Sequence, residues 1–152
     1  MKSATGLRPG LPDLHCACAE VRRAARLITQ LYAEELREHL EPSQFALLTF
    51  PDNRSGASQT AMGKVMAFDK TTLSRNLKLM QNNGWIEPAE KQDGRAHGFR
   101  LTPVGEALLS VSKPRWKKAQ GRLRSAMSEE DWDAMWISFR AITSAAHVAL
   151  GG

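Results

Sequence analysis

Apolar residues in the first third of the chain recur at steps of three and four positions. This spacing places them on one side of an α-helix, because 3.6 residues complete each turn. The pattern predicts an amphipathic helix over residues 13–39, about seven turns long. Its apolar face holds Leu14, Cys18, Val21, Ala25, Ile28, Tyr32 and Leu36.

A second helix is predicted to begin at Pro42. Proline suits the first turn of a helix, where the missing N–H group would have no intrahelical partner. Phe45, Leu47 and Leu48 then supply the residues that this helix buries.

Two short helices follow, each preceded by a residue suited to cap a helix N-terminus. Ser58 caps a helix over residues 59–66, and Asp69 caps a helix over residues 70–82. Only residues 67–69 separate them, which is the length of the turn in a helix-turn-helix. The apolar positions that we expect to face the core are Leu73, Leu77 and Met80.

The next segment has the pattern of a β-hairpin. Gly84 supplies the left-handed conformation that ends the preceding helix. Residues 85–91 and 99–101 are predicted strands, and residues 92–98 form the turn between them. Because Pro88 has no N–H group for the ladder, we expect the first strand to lie at an edge or to end there.

Two long helices complete the chain. Thr102 caps a helix that runs to about residue 127 and contains Pro114, where we expect a kink. Ser128 caps the last helix, which continues to near residue 150. The elements together predict a mainly α fold with a small β-hairpin wing.

Composition indicates one globular protein and excludes other classes. Of 152 residues, 42% are hydrophobic and 24% are charged, so the chain can bury a core. No apolar run approaches the roughly 20 residues that cross a bilayer, and no secretory signal pattern is present. We therefore expect a cytoplasmic protein. The only two cysteines, Cys16 and Cys18, exclude a disulfide framework.

The positive charge is concentrated in one segment. The whole chain has 21 Lys and Arg against 16 Asp and Glu, a formal charge of +5. Residues 64–124 hold 13 of the basic residues and five of the acidic ones. Residues 125–152 hold one basic residue and four acidic ones. A basic segment between neutral and acidic ones favours a polyanionic partner, which in the cytosol is most often nucleic acid.

The order of the elements and this charge predict a winged helix-turn-helix that binds double-stranded DNA. An α-helix fits the major groove, and the hairpin can reach the adjacent minor groove or the backbone. Arg75 suits a bidentate contact with guanine, while lysines suit phosphates. His97 suits a phosphate contact or stays as solvated surface. The other predicted DNA contacts are Lys64, Lys70, Thr71, Thr72, Ser74 and Lys78.

Five short motifs, in their order and spacing, resemble those of the MarR (multiple antibiotic resistance regulator) family of bacterial transcription factors. The likeness extends from about residue 14 to residue 149. The chain departs from the family between the third and fourth helices, where members often have glycine and this chain has Ala67 and Phe68. The motifs are Glu41-Pro-Ser-Gln-Phe45, Lys70-Thr-Thr-Leu-Ser-Arg75, Asn83-Gly-Trp-Ile86, Asp93-Gly-Arg95 and Leu101-Thr-Pro-Val-Gly105.

The resemblance implies a homodimer that binds a pseudo-palindromic operator and acts as a repressor released by an effector. It also implies that Asp93 and Arg95 form a salt bridge in the wing, with Arg95 near the minor groove. The long apolar helices agree with a dimer, because one small winged domain cannot cover them. The alternative is that the apolar residues of the last helix pack within one chain. They are Trp132, Trp136, Phe139 and Ile142.

Three parts of the chain are expected from this organisation. Residues 1–12, rich in glycine and proline, form a flexible N-terminal arm. Residues 13–40 and 103–150 form the helical dimerisation region. Residues 41–102 form the winged helix-turn-helix.

The resemblance suggests two kinds of effector. Many members of the family bind an aromatic small molecule between the dimerisation helices and the winged domain, and others sense oxidants through a cysteine near the start of the first helix. Tyr32 and Phe45 also suit plain core positions. The candidate pocket residues are Arg26, Tyr32, Phe45 and Trp116.

Cys16 and Cys18 are candidate sensor thiols for an oxidant or a thiophilic metal. Residues two apart on a helix point about 200° from each other, so Cys18 falls on the apolar face and Cys16 nearer Arg23. They share a metal only if the helix begins after both, or if a partner chain adds ligands. If the helix begins near Cys16, the positive end of the helix dipole favours the charged thiolate form of Cys16, which makes Cys16 the more reactive of the two cysteines. The alternative is a structural Cys18 and an incidental Cys16.

No catalytic constellation is recognisable in the sequence. We find no Ser-His-Asp set, glycine-rich phosphate loop or suitably spaced pair of carboxylates. We therefore expect neither enzymatic activity nor a required cofactor, and we assign no metal site. The remaining alternative is a winged helix that contacts protein or RNA without binding an operator.

Overall fold

The computed structural model describes residues 11–53, 58–89 and 98–152. Six helices and one antiparallel pair of strands occur in this part of the chain, as the sequence predicts. None of these helices is long and apolar enough to span a membrane. The elements are α1 (Ala17–Leu36), α2 (Pro42–Asn53), α3 (Gln59–Met66), α4 (Lys70–Asn82), β1 (Ile86–Pro88), β2 (Phe99–Leu101), α5 (Pro103–Ser125) and α6 (Glu129–Ala149).

Side-chain caps begin four of the helices at the positions that the sequence predicts. In each case the cap oxygen accepts a hydrogen bond of 2.8–3.1 Å from the backbone N–H group three residues further on. Such a cap contributes about 1 kcal/mol to helix stability. The capping residues are Ser58, Asp69, Thr102 and Ser128.

The first helix is shorter than the predicted span of residues 13–39. His15 has a positive φ of 49° and Cys16 is extended, so α1 begins only at Ala17. Arg37, with φ 53° and ψ −137°, ends the helix, and a single 3₁₀ turn follows at Arg37–His39. The predicted apolar face is buried or half-buried only towards its end, at Ile28, Tyr32 and Leu36. Cys18, Val21 and Ala25 are exposed within one chain. Both ends of the helix are set by backbone conformations that the hydrophobic pattern does not encode.

The other differences are small. The strand predicted over residues 85–91 covers Ile86–Pro88, and Pro88 is its last residue, paired with Phe99. Residues 90–97 lie outside the described part of the chain. The helix predicted to reach residue 127 ends at Ser125 and continues through Pro114, where a kink stays a prediction.

One hydrophobic core joins the first five helices to the hairpin. The inward positions predicted for α4 are confirmed, because Leu73, Leu77 and Met80 are each at most 3% exposed. Burying such side chains is the main favourable contribution to folding. The core consists of Leu36, Leu40, Phe45, Leu47, Leu48, Phe50, Met62, Leu73, Leu77, Met80, Ile86 and Leu109.

The last helix lies outside this core. No residue of α6 is buried within the chain, although the helix carries large apolar side chains. Trp136 packs edge-on against both Trp132 and Phe139, with ring centroids 5.7 and 6.0 Å apart. Trp136 and Phe139 are nevertheless each 42% exposed and Ile142 is 50% exposed. The chain thus leaves an apolar surface without cover, as the sequence analysis anticipated.

The turn of the helix-turn-helix depends on a left-handed alanine. Ala67 has φ 51° and ψ 33°, and its N–H group donates to the carbonyl oxygens of Gly63 and Lys64 at the end of α3. Left-handed conformations disfavour residues that carry a Cβ atom, and glycine is usual at this position after a helix. The chain therefore forms the turn with a strained residue.

We expect Ala67→Gly to stabilise the protein by about 0.5–1 kcal/mol, because relief of strain outweighs the greater freedom of glycine in the unfolded state. Thermal or denaturant unfolding at fixed protein concentration measures this change. The control is Ala107→Gly, on an exposed position within α5, which should cost about 1 kcal/mol. Equal losses in the two variants would contradict the left-handed turn.

Candidate nucleic-acid interface

One side of α4 is held against the core, and this fixes the direction of the other side. With Leu73, Leu77 and Met80 buried, the opposite side of the helix must face outward. Five of the predicted DNA contacts lie on α4 and are exposed. They are Lys70, Thr71, Ser74, Arg75 and Lys78.

These residues line a groove of about 1470 Å³ between α3, α4 and the strands. Lys64 of α3 lies in the same groove, so six predicted DNA contacts share one concave surface. None of its described lining residues is acidic. The groove is therefore strongly electropositive and suited to a polyanion.

Three polar residues of this groove were missed by the sequence analysis. Gln59 and Thr60 lie in the first turn of α3, and Gln81 lies near the end of α4. The helical spacing of Ser74, Lys78 and Gln81, at steps of four and three, could have identified the last of them. Amides and hydroxyls at these positions can contact phosphate or base edges.

Thr72 has a different role from its neighbours. Its hydroxyl donates to Oδ2 of Asp69 at 2.6 Å, and its N–H group donates to Oδ1 at 2.8 Å. The side-chain hydrogen bond, followed by the backbone one, lowers the pKa of Asp69. Thr72 thus stabilises the start of α4 and does not line the groove.

The base of the wing is anchored to the start of α5. The hydroxyl of Thr102 donates to the carbonyl oxygen of Gly84, and its N–H group donates to that of Trp85 at 3.0 Å. Gly105 is buried so close to Trp85 that a Cβ atom there would overlap the Trp85 carbonyl oxygen. Glu87 and Arg100 pair across the strands at 2.8 Å. The joint between the base of the wing and the start of α5 therefore combines these side-chain contacts with a direct backbone contact at Gly105.

The tip of the wing lies outside the described residues. The predicted Asp93–Arg95 salt bridge and the predicted contacts of Arg95 and His97 with DNA belong to that segment. They stay predictions.

A second cavity, of about 590 Å³, lies between α1, α2 and α5. Phe45 and Trp116 stack in its wall, with ring centroids 5.8 Å apart and an interplanar angle of 15°. Tyr32 lines the cavity and donates its hydroxyl to Oε1 of Gln120, and burial raises the Tyr32 pKa. We call this the aromatic cavity. It unites three of the four predicted pocket residues, whereas Arg26 is exposed and does not line it.

Ion pairs connect α1 to α5 beside the aromatic cavity. Glu35 accepts from Lys118 at 3.0 Å and from Arg122 at 2.8 Å, while Glu34 lies 3.3 Å from Arg122. The hydrogen bond from Lys118 is the main cause that lowers the Glu35 pKa. Because Glu35 has only 11% of its side chain exposed, it is the best shielded member of this network.

Both candidate sensor thiols are free and exposed. Cys16 is the N-cap residue of α1, and Cys18 lies in the first turn. Cys18 was placed on the apolar face, but within one chain that face is uncovered near its start, where Val21 is 47% exposed. Arg23 donates to Glu20 and to the Pro12 carbonyl oxygen. Within the described ranges, no three metal-ligating side chains cluster.

Comparison with known proteins identifies relatives of this fold. A sequence model of the MarR family matches residues 40–96. The transcriptional regulator YwoH of Bacillus subtilis is 25% identical over 126 residues, which span 80% of this chain and 89% of YwoH.

Two solved structures extend the comparison to nearly the whole chain. The Mycobacterium tuberculosis regulator MosR, crystallised with DNA, is 27% identical with a TM-score of 0.78, covering 89% of this chain and 98% of MosR. PcaV of Streptomyces coelicolor, crystallised with its natural ligand, is 19% identical with a TM-score of 0.79, covering 90% and 99%. At 27% identity, MosR is a transcriptional regulator to which this chain is similar in sequence and in fold, whereas PcaV, at 19% identity, supports the fold alone.

The joint at Gly105 gives a sharp test. Gly105→Ala should destabilise the protein by about 1–3 kcal/mol, because the new methyl group forces α5 away from Trp85. Gly121→Ala in the same helix meets no atom within 4 Å and should stabilise by about 1 kcal/mol. Denaturant unfolding of both variants measures the difference. A tolerated Gly105→Ala would show that the close contact is not required.

Proposed function

We propose that the chain, whose residues 40–96 match a sequence model of the MarR family, is a homodimeric DNA-binding repressor released from its operator by a small aromatic effector. The observation that carries the proposal is the groove of α3 and α4, whose charged lining residues are all basic in the part of the chain that the structure describes. A regulator that acts on DNA works in the cytoplasm, and it needs no catalytic activity.

In this proposal α4 enters the major groove of the operator. Arg75 binds guanine O6 and N7, while Lys64, Lys70 and Lys78 contact phosphates and fix the register. Residues 41–102 act as the DNA-binding unit. The crystallisation of MosR with DNA supports this use of the fold.

The dimer forms through residues 13–40 and 103–150. Support comes from the exposed aromatic and aliphatic side chains of α6, which one chain leaves in water. In a dimer that buries this surface, the two α4 helices are held at a fixed separation. The two half-sites of an operator lie one helical turn apart, about 34 Å, and the two α4 helices must have the same separation. A small change in the angle between the long helices therefore weakens binding.

The aromatic cavity is the site that we assign to the effector. Its lining is mostly apolar, with Lys113 and Lys117 at its edge, and its volume suits a small organic molecule. PcaV was crystallised with its natural ligand, which supports ligand binding in this fold. Because α1, α2 and α5 all line the cavity, a bound molecule can alter the angle between the winged unit and the dimerisation helices.

A second candidate is release by oxidation or by a thiophilic metal. The exposure of Cys16 and Cys18 favours it, since both thiols are accessible to reagents. Two thiols of one chain are too few for a closed metal site, so metal binding requires ligands from the partner. The rival from another class, a winged helix that contacts only protein or RNA, predicts no binding to duplex DNA.

For the DNA contacts, a gel shift with the DNA upstream of this protein's own gene is the direct test. Arg75→Ala should weaken specific binding by about 5–150-fold, the loss expected for one bidentate base contact. Lys78→Ala should weaken binding to all sequences alike. It should also reduce by about one the slope of the logarithm of the binding constant against the logarithm of the salt concentration. Arg22→Ala, an exposed charge outside the groove, serves as the control. Wild type that binds no duplex at low salt would refute the proposal.

For the effector, the protein–DNA complex is titrated in parallel with salicylate, peroxide and arsenite. Ala46→Leu fills the aromatic cavity and should abolish release by salicylate, while the Cys16→Ser, Cys18→Ser double variant should retain it. Unchanged DNA affinity and unfolding temperature establish that Ala46→Leu still folds. If only peroxide or arsenite releases DNA, and the double variant resists them, the effector acts on the thiols instead.

A further inference from the structure

A third cavity, of about 600 Å³, lies where the end of α1 meets the middle of α5. It shares no lining residue with the aromatic cavity. At 100° per residue, the α5 residues of the two cavities point about 150° apart, so the cavities flank opposite sides of this helix. The third cavity is lined by Glu35, Arg37, His39, Pro114, Arg115 and Lys118.

Among the described residues, this cavity holds two arginines and one lysine against a single carboxylate, Glu35. Glu35 pairs with Lys118 at 3.0 Å and with Arg122 at 2.8 Å, and Arg122 also lies 3.3 Å from Glu34. Because these two cations and two carboxylates compensate one another, the excess positive charge of the cavity lies on Arg37 and Arg115. Among the described residues, neither Arg37 nor Arg115 forms an ion pair. Two guanidinium groups therefore line a concave space without a carboxylate partner in the described part of the chain.

The backbone at Arg37 is an independent sign that the arginine side chain matters there. With φ 53° and ψ −137°, Arg37 occupies a conformation that favours glycine, while its N–H group caps α1 by donating to the Ala33 carbonyl oxygen. Glycine would perform this backbone task with less strain. Strained residues of this kind concentrate at ligand sites, where the side chain is required.

We propose that this cavity binds a small phosphorylated anion. Guanidinium groups bind phosphate oxygens through two parallel N–H bonds, and a lysine adds a point charge. Arg37 and Arg115 bind the phosphate group in this way, from α1 and α5 respectively. His39 adds a further hydrogen-bond donor at the edge.

Binding has a consequence for the contact between α1 and α5. Lys118 is held by Glu35 at 3.0 Å, and a phosphate in the cavity competes for the same ammonium group. Arg122 keeps Glu35 paired when Lys118 turns away. Occupancy of the cavity therefore replaces one ion pair across the α1–α5 contact by a bridge through the ligand. The site needs neither DNA nor an effector in the aromatic cavity, so it is independent of the proposed function.

Isothermal titration of the full chain with pyrophosphate at low ionic strength tests this proposal. Arg115→Ala and Arg37→Gly should each weaken binding at least about tenfold, as expected for loss of a charge-assisted pair. Arg22→Ala removes the same charge from an exposed position of α1 outside the cavity and should change the affinity less than about twofold.

Arg37→Gly separates ligand binding from folding. Relief of the backbone strain should raise its unfolding temperature by about 2–4 °C while its affinity for pyrophosphate falls. A role of Arg37 in stability alone would not produce these opposite changes.

Three results would overturn the proposal. One is the absence of saturable pyrophosphate binding to wild type, and another is an equal loss in Arg22→Ala, which would mean general attraction to a basic surface. The third comes from titration with duplex DNA in the absence of pyrophosphate. If Arg37→Gly and Arg115→Ala weaken that binding as strongly, the surface contacts the DNA backbone.

Discussion

The contact between Gly105 and Trp85 is the constraint on which the arrangement of the molecule depends. The start of α5 lies against backbone at the base of the wing with no room for a Cβ atom, and Thr102 adds hydrogen bonds to the same two carbonyl groups. Flexible side chains would allow this joint to slide, but backbone contacts do not. The base of the hairpin and the start of α5 are therefore held together, and both border the core under α4.

Because the start of α5 is held against the base of the wing, the contacts farther along α5 are where the packing of this helix can change. Farther along the helix, Trp116 lines the aromatic cavity and Arg115 lines the cavity on the opposite side. Between them and α1 lie the ion pairs of Glu35, whose cationic partners Lys118 and Arg122 are exposed and can exchange one anion for another. A ligand bound on either side, as we propose, would act on the same α1–α5 contact, at a distance from the groove of α3 and α4.

The sequence predicts the interior of this fold better than it predicts where the first helix ends and which surfaces form cavities. Caps such as Asp69, the spacing of Leu73 and Leu77, and the turn length are local signals, so the helix-turn-helix was predicted residue by residue. The end of α1 was not, because nothing in the side chain of Arg37 reveals a positive φ. The groove was predicted from charge, whereas Gln59 and the cavity beside Arg115 required the helices to be placed in three dimensions.

The separation of charge from apolar surface suits both the proposed dimer and the proposed DNA contacts. The basic excess belongs to residues 64–124, while residues 125–152 are acidic overall and carry the exposed aromatic face of α6. In the proposed dimer, burial of the apolar side chains of α6, which salt does not screen, drives the contact between the two copies. The basic groove keeps its positive charge for a polyanion. In the proposed function, association with DNA is therefore the step that salt weakens, while the dimer sets the separation of its two α4 helices.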